Sequence, residues 1–139
     1  MICVTELKYI CPIATKKSYM AFMPAALIAA GIAVASLWEY PCFPDGFAGS
    51  DKLLHGLMYA LLSAALMGGF VLIRQARITT YVYTVLATAA YGAIMELLQH
   101  FCTSSRTGEL ADVYADCLGA FIGVLVIALL YYGRRRVKR

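Results

Sequence analysis

The chain has 139 residues, of which 62% are hydrophobic and only 14% are charged, and its mean hydropathy is +0.74. A soluble domain carries about 45–50% apolar and about 25% charged residues, and one this small has too little interior to bury such an excess. The composition therefore excludes an ordinary soluble domain and predicts a single membrane domain over residues 1–139. The net charge of +4 does not indicate nucleic-acid binding, because the basic residues stand in short runs beside apolar stretches.

Four apolar stretches follow one another along the chain, at residues 20–37, 53–73, 78–98 and 113–132. Each is close to the ~20 residues that a helix needs to cross ~30 Å of hydrocarbon. The alternation expected of a transmembrane strand is absent, so the sequence predicts an all-α membrane protein, a bundle of four transmembrane helices. The first stretch has the basic flank of a signal peptide, but its apolar run is longer than a usual signal core, and a span is the preferred interpretation.

The basic residues predict the orientation of these spans. Ten of the 12 lie before the first span, between the second and third, or after the fourth: Lys8, Lys16, Lys17, Arg74, Arg77, Arg134, Arg135, Arg136, Lys138 and Arg139. By the positive-inside rule, both termini are predicted to face the cytoplasm. Seven of the eight acidic residues lie at or near the opposite side of the membrane, which is the outer side in this orientation.

Polar residues recur at helical spacing at the outer ends of three spans. They are Asp51 and His55 in the second span, Glu96, Gln99 and His100 in the third, and Asp112 and Asp116 in the fourth. Residues three or four apart share one face of a helix, and a carboxylate that faces lipid costs several kcal/mol. These faces are therefore predicted to turn toward one another and to line a polar pocket that is open outward.

Within this pocket, depth separates two groups of candidate residues. His55, Glu96 and Asp116 are predicted to lie about one helical turn inside the outer boundary, as candidate catalytic groups. Asp51, His100 and Asp112 are predicted to form a layer above them. The candidate ligand-binding residues are this upper layer and three neighbouring donors: Asp51, Lys52, Gln99, His100, Arg106 and Asp112.

Two structural interpretations compete with a functional one. Neighbouring basic and amide side chains can satisfy the acids in a network that clamps the helices together, and some charges can simply be solvated helix ends. Solvated ends best describe Glu39, Asp45 and Glu109, which lie in or beside the loops. Intramembrane acids are functional candidates by default.

The sequence assigns no cofactor. Three carboxylates and two histidines converge in the predicted pocket, but their spacing matches no recognised metal motif, so metal binding is left undecided. Cys42 and Cys102 lie in the two outer loops, where a disulfide is an alternative to two free thiols.

The motifs at the outer end occur in a distinctive order. Asp51-Lys52-Leu53-Leu54-His55 comes first, then Glu96-Leu97-Leu98-Gln99, then Arg106 with Asp112 and Asp116 ahead of Gly119 and Gly123. Across residues 51–124 this order resembles the VanZ-like family, whose pattern runs D-K-x-x-H, E-x-x-Q, R and D-x-x-x-[ND]-x-x-G. Where many members carry Asn, this sequence has Asp116. The resemblance implies a multi-pass protein of the bacterial cytoplasmic membrane, in a family whose namesake is associated with reduced susceptibility to the glycopeptide antibiotic teicoplanin. It implies no mechanism.

Two functions fit these observations, and the sequence does not decide whether a reaction is catalysed. In the first, a non-catalytic envelope protein binds a membrane lipid or a lipid-linked, anionic envelope component, which pairs with Lys52 and Arg106. The alternative is an intramembrane hydrolase or transferase acting on a phospholipid or polyprenyl-phosphate headgroup, with Glu96 or Asp116 as general base and His55 as proton carrier. A proton-coupled transporter is less favoured, because four spans are few unless the chain forms a homo-oligomer.

Overall fold

The computed structural model describes residues 16–37, 50–102 and 110–137. They form four α-helices: α1 (Lys16–Leu37), α2 (Ser50–Leu72), α3 (Ile78–Cys102) and α4 (Leu110–Val137). All four are long and apolar enough to cross a membrane, which confirms the predicted four-span, all-α architecture. Each helix extends beyond its apolar stretch at one end at least, because backbone hydrogen bonding continues past the edge of the hydrocarbon.

Contacts between helix ends fix the topology of the bundle. Gln99 near the end of α3 bonds to Ser36 near the end of α1, while His55 near the start of α2 meets Asp116 near the start of α4. We call this end, where α1 and α3 finish and α2 and α4 begin, the acidic end. The opposite one is the basic end. Helices α2 and α4 therefore run parallel to each other and antiparallel to α1 and α3.

A five-residue turn at the basic end joins α2 to α3. The amide of Arg74 donates to the carbonyl of Val71 at 3.1 Å, and that of Gln75 donates to the carbonyl of Phe70 at 2.8 Å. These two bonds form a Schellman motif, which closes the last turn of α2. Arg74 has a φ of 59°, the left-handed conformation that this motif requires and that glycine adopts most readily.

Glycines bring α2 and α4 into close contact. A Cβ on Gly119 would overlap the carbonyl oxygen of Gly56 and would lie 3.0 Å from its Cα. One turn further along, a Cβ on Gly123 would overlap the carbonyl oxygen of Ala60. The Gly119–Gly123 pair thus allows the two backbones to touch, as expected of a small-xxx-small stripe in a membrane helix. This pairing, the most extensive in the bundle, places the acidic residues of α4 beside α2.

The outer surface of the bundle is apolar. Large hydrophobic side chains are exposed on all four helices, among them Leu27, Leu61, Leu86 and Leu125. A monomeric soluble protein rarely exposes continuous apolar surface on this scale, whereas lipid covers it without penalty. The buried positions, by contrast, include many polar residues on α2, α3 and α4.

Candidate functional site

Three helices supply the centre of the site. His55 from α2, Glu96 from α3 and Asp116 from α4 retain only 9%, 6% and 0% of their accessible surface. The sequence predicted that these residues turn toward one another, and the structure brings them together inside the acidic end. The physical reason is the one that motivated the prediction, because an ionisable side chain avoids lipid by facing the bundle interior.

The imidazole of His55 lies between two carboxylates. Its Nδ1 is 3.2 Å from Oδ1 of Asp116 and 3.5 Å from Oε1 of Glu96. An ionised carboxylate can only accept a hydrogen bond, so the Nδ1–H donates to Asp116 when that acid is charged. Burial strengthens these interactions, because little water is present to screen them.

Asp112 belongs to the same cluster as His55 and Glu96. Ligand atoms of His55, Glu96 and Asp112 all lie within 4.8 Å of one another, and Asp112 is buried. Asp112 lies one helical turn before Asp116 on α4, and α4 packs closely enough on α2 to bring both aspartates to His55. Lys52 lies at the exposed edge of this cluster, which we call its mouth: Nζ of Lys52 is 3.8 Å from Oδ1 of Asp112, and the lysine side chain is 47% exposed.

Gln99 and His100 have different positions at the end of α3. The Gln99 amide donates to the Ser36 carbonyl at 3.0 Å and so ties α3 to α1. His100 is exposed, its ring edge-on to Phe101 at 5.1 Å between centroids, and the structure does not place it with Asp112. Because a helix turns about 100° per residue, Gln99 lies about 60° from Glu96 toward the buried side and His100 about 40° toward the exposed side.

Some predicted residues fall outside what the structure describes. Arg106, Glu39, Asp45, Glu109 and Cys42 lie outside the described residues, and so does the side chain of Asp51 in the first turn of α2. Cys102 ends α3 and is exposed, and the structure does not test the alternative of a disulfide with Cys42.

Sequence analysis missed two residues that shape the base of the site. A Cβ on Gly92 would lie 2.6 Å from Oδ2 of Asp116 and 3.1 Å from Cε1 of Tyr59. Gly92 therefore provides the space that Asp116 occupies, and Tyr59, which is 1% exposed, closes the site from α2. Gly92 lies four residues before Glu96, and Tyr59 lies four residues after His55. Extending the predicted i,i+4 spacing by one helical turn would have identified both.

The charges of the site favour cations and protons. Its described part holds three buried carboxylates, one imidazole and one half-exposed lysine. Carboxylates this close together repel one another unless a proton or a cation lies between them. The cluster can therefore exchange protons through His55 or bind a cation, while Lys52 offers a positive group to an anion at the mouth.

The chain matches one protein-family model over most of its length. The model of the family described as VanZ/LLP1 matches residues 2–131. The chain belongs to the VanZ/LLP1 family. The match covers nearly the whole chain and so includes α1, which contributes the Ser36 carbonyl at the acidic end. No curated protein and no solved structure matches the chain. Membership in the VanZ/LLP1 family, with four membrane-spanning helices, is consistent with a multi-pass envelope membrane protein.

Proposed function

We propose that this VanZ/LLP1 protein binds the anionic headgroup of a membrane lipid or a lipid-linked envelope component at its acidic end. The observation that carries the proposal is the position of Lys52, exposed at the mouth above the buried cluster. A lysine ammonium is a good partner for phosphate, and its aliphatic stem can lie along the apolar helix surface. The predicted outward orientation opens this mouth to the extracytoplasmic leaflet, and the predicted ligand Arg106 adds a second cation.

The surroundings of the mouth suit a lipid-linked ligand. Leu53 beside Lys52 and Leu110 at the start of α4 are both strongly exposed, so apolar surface continues from the mouth to the lipid-facing side. A ligand with a phosphate and a hydrocarbon chain can contact both. If the ligand is a cell-wall precursor, its binding also changes susceptibility to teicoplanin, the phenotype that the family resemblance implies.

Removing single positive charges tests this binding. The purified chain is placed in nanodiscs of zwitterionic lipid with a polyprenyl phosphate, and the complex is quantified by native mass spectrometry. Lys52→Gln should weaken binding about 10- to 100-fold, because a hydrogen bond to a charged group contributes about 1.5–3 kcal/mol. Arg136→Gln removes one charge from an exposed site at the basic end and should leave binding unchanged. Equal losses in both variants would show that only net charge matters.

A second function, hydrolysis or group transfer at the same headgroup, is favoured by one specific observation. His55 is oriented by a fully buried carboxylate, with Nδ1 at 3.2 Å from Asp116, which is how enzymes commonly hold a general base. On this hypothesis His55→Gln and Glu96→Gln abolish turnover of a polyprenyl diphosphate or a phospholipid, while native mass spectrometry still detects the bound lipid. Full turnover in both variants would exclude catalysis by this cluster.

A further inference from the structure

We propose that His55, Glu96 and Asp112 bind a divalent transition-metal ion inside the acidic end. Each residue comes from a different helix, each is buried, and their ligand atoms lie within 4.8 Å of one another. Two ligands that each lie 2.0–2.2 Å from a zinc ion are at most about 4.4 Å apart. The distances between the three ligand atoms therefore exceed those of a zinc site by no more than a few tenths of an ångström.

Asp116 provides a second, independent indication. It is completely buried, and its Oδ2 has no hydrogen-bond partner among residues 16–37, 50–102 and 110–137. A buried, unsatisfied carboxylate oxygen is costly, and a cation in the cluster would offset that cost. The other oxygen of Asp116, Oδ1, accepts a hydrogen bond from the Nδ1–H of His55. A metal-bound histidine usually donates its second ring N–H to a carboxylate in this way, so Asp116 acts as a positioning residue.

The ligand set indicates which kind of ion fits. One imidazole and two carboxylates match zinc, manganese or ferrous iron better than magnesium or calcium, which prefer oxygen ligands alone. The same three-ligand arrangement leaves coordination positions open for water or for a ligand oxygen. The nearest described cation is Lys52, half-exposed and 3.8 Å from Asp112, so the cluster stays negative overall and attracts a divalent ion.

This ion also connects the site to its proposed ligand. A phosphate that approaches three carboxylates is repelled, whereas a divalent ion between them can bind the phosphate oxygens directly. This connection rests on the proposed function, but binding of the metal itself does not. The two are separated by measuring metal binding without lipid and lipid binding with and without a chelator.

Zinc binding to the full chain is the test. The tag-free protein is purified in detergent, stripped with a chelator and titrated with Zn²⁺ by calorimetry, and Co²⁺ is then used to record a visible absorption spectrum. We expect one Zn²⁺ per chain, with affinity at least tenfold lower in Glu96→Gln and in Asp112→Asn. Asp116→Asn should lower the affinity about 10–100-fold and should alter the Co²⁺ spectrum, which a purely structural role would not do.

An exposed cysteine nearby serves as the control. Cys102→Ser removes a metal-ligating side chain from the end of α3 and should not change the affinity. Absence of stoichiometric binding by the unmodified chain would overturn the proposal, whatever the variants do, and so would a loss in Cys102→Ser as large as in Glu96→Gln. If a chelator leaves polyprenyl-phosphate binding intact, the metal is not part of that interaction, and the proposed function survives without it.

Discussion

His55 is the residue that connects α2 to α3 and α4, since its imidazole contacts carboxylates from both of those helices. A histidine in such a position can carry a proton or donate to one acid while it binds a metal through its other nitrogen. Which role it fulfils depends on Asp116, because that carboxylate sets the orientation of the ring. The position of Asp116 depends in turn on the space that Gly92 leaves.

Replacing Gly92 with alanine tests this dependence. The added Cβ would lie 2.6 Å from Oδ2 of Asp116, so the aspartate must move, and we expect a loss of about 1–3 kcal/mol in the free energy of unfolding in mixed micelles. Zinc affinity should fall as well. Gly68→Ala is the matched control, because a Cβ at Gly68 meets nothing within 4 Å and should stabilise its helix by about 0.5–1 kcal/mol. Equal effects at both positions would contradict this interpretation.

At the residue scale, the sequence was informative where lipid imposes a strong constraint. His55, Glu96 and Asp116 could be placed together because an ionisable group on any other face would lie in hydrocarbon. The prediction for His100 had less support, because this residue lies near the helix end, where a polar side chain can face water as well as the bundle interior. Gly92 was not recognised, since its role is to leave space for a side chain of another helix.

The parallel contact between α2 and α4 is the element on which the site depends. It brings the two aspartates of α4 to His55, and it is possible only because Gly119 and Gly123 lack side chains. Two glycines four residues apart favour close packing, but they do not show that α2 is the partner, because any neighbouring helix fits such a pair equally well.

Gly123→Ala should disturb the site from a distance. Its Cβ would overlap the backbone carbonyl of Ala60, so the two helices must separate, and we expect a loss of about 1–3 kcal/mol in unfolding free energy together with weaker zinc binding. Gly133→Ala lies on the same helix with nothing within 4 Å of its added Cβ and should be neutral or slightly stabilising. The argument fails if Gly123→Ala is as stable as Gly133→Ala.

The turn between α2 and α3 offers a separate test of the fold. Arg74 adopts a left-handed conformation, which costs a residue with a Cβ about 1–2 kcal/mol. Arg74→Gly should therefore be more stable than Arg74→Ala by about 1 kcal/mol, as measured by unfolding in mixed micelles. Both variants lack the arginine charge, so the comparison isolates the backbone. If the alanine variant is equally stable, the Schellman motif does not form.

At the scale of the whole molecule, the orientation in the membrane decides what the acidic end can meet. The basic residues predict that both termini are cytoplasmic. A C-terminal fusion to green fluorescent protein should then fluoresce, whereas the same fusion to alkaline phosphatase should be inactive. In a Cys42→Ser background, exposed Cys102 at the acidic end should react with a membrane-impermeant maleimide in intact cells, and the double variant Cys42→Ser/Cys102→Ser serves as its control. The reverse pattern would place the site at the cytoplasmic face.

The four helices were predictable because each must satisfy its backbone within lipid, a requirement that a run of about 20 apolar residues reveals directly. Their arrangement was less predictable. The polar residues at helical spacing on α2, α3 and α4 indicated which faces of these helices meet. No comparable pattern on α1 indicated the Gln99–Ser36 hydrogen bond that ties α1 to α3. A carbonyl acceptor is available at every residue, so sequence alone does not single out Ser36.

The measurement that tests the central claim most directly is an anomalous difference map at the zinc edge, from crystals grown with Zn²⁺ and a polyprenyl phosphate. The claim is that the acidic end is a ligand site and not only a clamp between helices. We predict one strong peak among His55, Glu96 and Asp112, with phosphate density between that peak and Lys52. Carboxylates satisfied by protein side chains alone, with neither zinc nor phosphate at this end, would contradict the claim.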